Sequence, residues 1–87
     1  MSGAARLDAH DWWKMIEIKA HITGSLWKVL VVENQAVEER DTLAIMESMK
    51  MEIPVESPVS GVVKRIVASE GSPVKEGSVI MILEAKP

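Results

Sequence analysis

"AIMESMKMEIPVES", residues 44–57, sets a single lysine between two methionines, inside a run that otherwise alternates as a strand does. As one strand it would be 14 residues long, against a usual length of about 5–6. Continuing its alternation would also put Glu47 on the face of Ile45 and Met49, a carboxylate turned toward the core. A hairpin with its tip near Ser48 to Met51 removes both difficulties and leaves "TLAIME" and "EIPVES" as strands of ordinary length. At such a tip Lys50 stays hydrated, and burying it unpaired would cost several kcal/mol. The methionines are harder to explain by stability. An exposed Met forgoes about 1.5–3 kcal/mol of burial, a large share of the ~5–15 kcal/mol that holds a domain of this kind together. Methionine is suited to adaptive contact with a partner surface, so the tip reads as a recognition site presenting an amine. The competing reading is an ordinary strand with Lys50 on its solvent face.

The flanking sequence extends the β pattern. "MIEIKAHI" alternates Ile16, Ile18, Ala20 and Ile22 against Glu17, Lys19 and His21, and "KMEIPVE" sets Met51, Ile53 and Val55 against Glu52, Pro54 and Glu56. "LWKVLVV" and "SVIMIL" are continuous apolar runs, which predict strands covered on both faces. Pro54 and Pro58 suit edge strands or turns.

The chain also repeats. Shifted by 37 residues, "HITGSLWKVLVVENQAVEERDTLAIMES" lies over "PVSGVVKRIVASEGSPVKEGSVIMILEA" without a gap, with six identities in 28 positions. Gly24 meets Gly61, Glu33 meets Glu70, Val37 meets Val74, Glu39 meets Glu76, Ile45 meets Ile82 and Glu47 meets Glu84. Two copies of a unit that cannot bury its apolar face alone predict packing about a pseudo-two-fold axis. The expected fold is all-β, with the lysine between the two halves.

Composition narrows the function. Eighty-seven residues, 47% hydrophobic and 26% charged, make one small globular domain. Net charge is −3, with acidic and basic residues interleaved, which argues against nucleic acid as a partner. There is no cysteine, hence no disulfide or thiolate metal site. No run of about 18 apolar residues suggests a membrane span, and the first 15 residues lack the apolar core of a secretory signal. A cytoplasmic location is expected. His10 and His21 are too far apart for a metal motif, and no nucleophilic arrangement or glycine-rich phosphate loop is present. Glu33, Glu39, Glu70 and Glu76 recur with the repeat and read as turn and surface residues. With no catalytic group and no metal ligands, a presented lysine suggests a modification acceptor rather than an enzyme.

"ESMKMEIPV" resembles the acceptor signature of the biotinyl domains, and "SPVSGVVKRIVASEGSPVKEGSVIMILE" is similar to the second half of biotin carboxyl carrier proteins. The resemblance covers residues 16–85 and is strongest to short, single-domain biotin/lipoyl attachment proteins without the thumb insertion. It implies a flattened barrel or sandwich of two four-stranded antiparallel sheets. Biotin would be joined to Lys50 by a biotin protein ligase that contacts Met49 and Met51, with Glu47 and Ser48 setting the tip. Carboxyl-biotin would then pass from a biotin carboxylase to a carboxyltransferase, the carrier supplying reach rather than chemistry. A lipoyl or dual biotin/lipoyl carrier on the same lysine is the alternative, followed by an unmodified structural β module. The domain is expected to be a monomer. Residues 1–15, with Trp12 and Trp13, fall outside the resemblance and are expected to be a flexible extension, the alternative being a short helix that docks on a partner. Asn34 and Arg40 stand where the family has glycine, and Arg40 implies a turn of altered shape.

Overall fold

The computed structural model describes residues 14–86. Eight strands follow one another: β1 Met15–Lys19, β2 Gly24–Val29, β3 Ala36–Val37, β4 Thr42–Ser48, β5 Met51–Glu56, β6 Gly61–Ile66, β7 Pro73–Val74 and β8 Val79–Ala85. They form two four-stranded sheets, ordered β1-β8-β6-β3 and β5-β4-β2-β7, and every pairing is antiparallel. This is the two-sheet all-β arrangement expected from the sequence.

The repeat is structural to the residue. Adding 37 carries Gly24–Val29 onto Gly61–Ile66, Ala36–Val37 onto Pro73–Val74, and Thr42–Ser48 onto Val79–Ala85. Met15–Lys19 maps onto positions 52–56, inside β5, so one sheet order becomes the other. Register irregularities recur too: between Leu26 and Lys28 in β2, and between Val63 and Arg65 in β6. Trp27 and Lys64 are the equivalent bulge residues, and both are exposed.

Between the sheets lies one core that includes Leu26, Leu43, Met46, Val63, Ile80, Met81 and Leu83, all essentially solvent-free. At about 1.5–3 kcal/mol for each large apolar side chain, this burial is the main force against chain entropy. In β4 Leu43, Ala44 and Met46 are buried, whereas Ile45 is only part-buried and Glu47 is exposed. The expectation that the Ile45 face is the core face is therefore wrong, and Glu47 faces water within an ordinary strand.

"LWKVLVV" also departs from expectation. β2 ends at Val29, and Trp27, Leu30 and Val32 are exposed. A two-layer sandwich covers each sheet on one face only, so an apolar run does not guarantee a second cover. The other continuous apolar run, in β8, is better buried, with Ile80, Met81 and Leu83 in the core.

The turns show why glycine can be replaced. Asn34 (φ 73) and Arg40 (φ 74) adopt the same left-handed conformation as their counterparts Gly71 (φ 87) and Gly77 (φ 86). The Arg40 N–H donates to the Ser57 carbonyl at 2.7 Å, as the Gly77 N–H does to Ala20 at 2.8 Å. The altered turn expected at Arg40 is absent. The shape is kept, and a non-glycine residue carries the strain.

Candidate functional site

β4 and β5 make the hairpin that the opening stretch implies. Its ladder runs from Thr42 opposite Glu56 to Ser48 opposite Met51, so the loop is two residues, Met49 and Lys50. Both have positive φ, 52 and 65. Positive φ at both central positions is the type I′ arrangement, whose twist matches that of antiparallel strands and whose usual residues are Asn and Gly. Met and Lys here are unfavourable for the backbone, by an order of 1 kcal/mol each. Strained residues at an exposed turn indicate that the side chains, not the turn, decide these positions.

The side chains confirm where the tip points. Met49 is 89% exposed and Met51 63%. Lys50 is exposed and takes no part in the ion pairs of Lys19 with Glu17 and Lys64 with Glu84. Among the described residues its ammonium has no partner. A surface groove lined by Met15, Ile16, Lys64, Arg65 and Ile82 among others lies on the sheet without the hairpin and does not include Lys50.

The base of the tip is held firmly. The Ser48 hydroxyl donates to the Thr23 carbonyl at 3.0 Å, fixing the last residue of β4 to the entry of β2. Gly24 follows. A Cβ there would collide with the Glu47 carbonyl oxygen and meet the Ser48 Cβ at 3.0 Å. The absence of a side chain lets β2 close against the hairpin next to the tip. Glu47 pairs directly across from Glu52, two exposed carboxylates face to face, an arrangement unfavourable for the sheet itself.

Lys50, Met49, Met51, Glu47 and Ser48, all singled out from sequence, are thus assembled at one hairpin end. Thr23, Gly24 and Glu52 were not singled out as parts of this site. The pairing of Gly24 with Gly61 in the repeat was the available signal for one of them. Among the described residues no group of three or more His, Asp or Glu could hold a metal, and no helix is long and apolar enough to cross a membrane.

Two repeated β halves with an amine at the apex of the connecting hairpin are the architecture of a biotinyl domain. Residues 15–83 match the family model described as biotin-requiring enzyme, of the biotin/lipoyl type, and the chain belongs to this family. A biotin/lipoyl attachment protein of Bacillus subtilis (strain 168) is 42% identical over 66 residues, spanning 76% of this chain and 90% of that protein. A biotinylated protein TB7.3 homolog of Mycobacterium leprae (strain TN) is 36% identical over 67 residues, 77% of this chain and 94% of that one. Among solved structures, the urea carboxylase of Kluyveromyces lactis aligns with a TM-score of 0.75 at 29% identity, over 79% of this chain and 6% of that one. A single-chain, multi-domain long-chain acyl-CoA carboxylase shares the fold, with a TM-score of 0.80 at 19% identity over 85% of this chain and 7% of the other.

Biotin, covalently attached, is the group such domains carry. The residues present fit it. Attachment through an amide requires an accessible primary amine on a defined backbone and no pocket, and Lys50 on its two-residue turn supplies that.

Proposed function

We propose that Lys50 is the biotin acceptor and that this domain carries carboxyl groups between a biotin carboxylase and a carboxyltransferase. The observation that supports it most is the left-handed Met49-Lys50 turn, with both neighbouring thioethers exposed and, among the described residues, no partner on the amine. In the loading step the Lys50 nitrogen, having lost a proton, attacks the activated carbonyl of biotinyl-adenylate. The amide C–N bond forms, the bond from that carbon to the phosphate oxygen breaks, and AMP leaves. Met49 and Met51 offer the ligase apolar, adaptable contacts on either side of the amine. Ser48, tied to Thr23, keeps the turn from drifting while the ligase engages it. Once attached, biotin supplies a ureido nitrogen that carries the carboxyl group. The domain supplies a tether that raises local concentration at two active sites in turn. Identities of 36% to a pyruvate carboxylase of Bacillus subtilis and 32% to a biotin-dependent acyl-coenzyme A carboxylase alpha3 subunit of Mycobacterium leprae support the carboxylase setting.

The test is to incubate the protein with purified biotin protein ligase, biotin and ATP, and to read intact mass. The expected product carries one biotin, and Lys50→Arg carries none while keeping its β-sheet circular dichroism. Biotin on the Lys50→Arg protein would reject the assignment.

A further inference from the structure

Four of the six methionines fall into two sharply different environments. Met46 and Met81 are 1% and 0% exposed inside the core, whereas Met49 and Met51 flank Lys50 at 89% and 63%. A thioether sulfur is the readily oxidised atom of an apolar side chain, and access to solvent governs its rate of attack. Leucine would serve an apolar contact nearly as well without that liability, so a thioether on each side of the acceptor is a chemical feature in its own right.

We propose that Met49 and Met51 form a reversible oxidation site that controls whether Lys50 can be loaded; this rests on Lys50 being the biotin acceptor. The oxidant is a peroxide. The sulfur lone pair attacks one peroxide oxygen, the O–O bond breaks, the sulfur is oxidised by two electrons to a sulfoxide, and water leaves. The product keeps the length of the side chain but replaces a soft apolar atom with a strongly polar, chiral S=O group. Buried against an apolar ligase surface, that oxygen would lose its water without a replacement hydrogen bond. Neither side chain holds the fold together, because both lie outside the core cluster. Oxidation therefore changes recognition and leaves the sandwich intact. Met46 and Met81, sealed between the sheets, are the internal controls for this selectivity.

The experiment treats the unbiotinylated protein with hydrogen peroxide, removes the peroxide with catalase, and only then adds ligase, biotin and ATP. Peptide mass mapping is expected to find sulfoxide at Met49 and Met51 well before Met46 and Met81, with the labelling rate down by about tenfold or more. Methionine sulfoxide reductases A and B together are expected to restore the rate. The Met49→Leu, Met51→Leu protein has its own starting rate, and the ratio of its rates with and without peroxide is expected to stay near one. Unchanged labelling of the sulfoxide form would overturn the proposal. So would equal loss in the leucine protein, or uniform oxidation of Met46, Met49, Met51 and Met81. Failure of the untreated protein to accept biotin would instead remove the acceptor reading, and the oxidation site with it. The sulfoxide map reports its selectivity independently.

Discussion

Glu33 and Glu70 each cap a strand of the opposite half. The Glu70 carboxylate accepts from the Val29 N–H at 2.8 Å, and the Glu33 carboxylate accepts from the Ile66 N–H at 3.1 Å. They are positions 37 apart in the repeat, and the exchange is reciprocal. What reads in sequence as a pair of surface turn residues is a cross-brace between the two halves. Both carboxylates are exposed, so each bond is expected to contribute no more than about 1 kcal/mol. Glu33→Ala and Glu70→Ala are each expected to lower the melting temperature by a few degrees. A melting temperature unchanged in both would show that water replaces the brace without loss.

The tip trades stability for presentation. Replacing Met49-Lys50 with Asn-Gly puts the preferred type I′ residues on backbone angles that already exist. This double substitution is expected to raise unfolding free energy by about 1–2 kcal/mol in urea titration while eliminating biotin labelling. A destabilised double mutant would contradict the strain assigned to this turn.

Arg40 offers the same test away from the tip. Its φ of 74 lies in the same left-handed region as the 86 of Gly77, its counterpart in the other half, and its N–H remains anchored to Ser57. Arg40→Gly is expected to stabilise the protein by up to about 1 kcal/mol, with labelling unchanged, and Gly77→Ala to destabilise it by a similar amount. Asn34→Gly is expected to gain less, since asparagine tolerates the left-handed region better.

Gly24 and Gly61 separate structure from function. A Cβ at either would meet a carbonyl oxygen of the neighbouring strand, Glu47 in one case and Glu84 in the other. Both alanine substitutions are expected to cost about 1–3 kcal/mol. Gly24→Ala alone is expected to slow ligase labelling as well, because the displaced residues, Glu47 and Ser48, adjoin Lys50. Gly61 abuts the end of β8, in the sheet without the hairpin. Equal labelling of the two variants in ligase assays with intact-mass readout would show that tip placement does not depend on this packing.

Much of the site was legible because its signals are local. A two-residue turn between alternating segments is set by the chain within about a dozen positions, so Ser48, Met49, Lys50 and Met51 could be placed from sequence. The 37-residue repeat likewise foretold two packed β halves. The exposure of Trp27 was not legible. It sits at the bulge between Leu26 and Lys28, and a bulge is set by pairing with β4, a strand distant in sequence. Leu30 and Val32 were misread for a related reason: apolar character does not say whether a second layer exists to cover it.

The order of residues alone fixed the alternation of β1 and β5, the duplication and the position of the amine between the halves, because these depend on neighbours along the chain. Contacts between distant segments decided the rest. Which carboxylates brace the halves, which face of β4 meets the core, and why Thr23 and Gly24 clamp the hairpin all follow from the docking of one half on the other. The burial and hydrogen bonds that fix those features exist only once the two copies have come together.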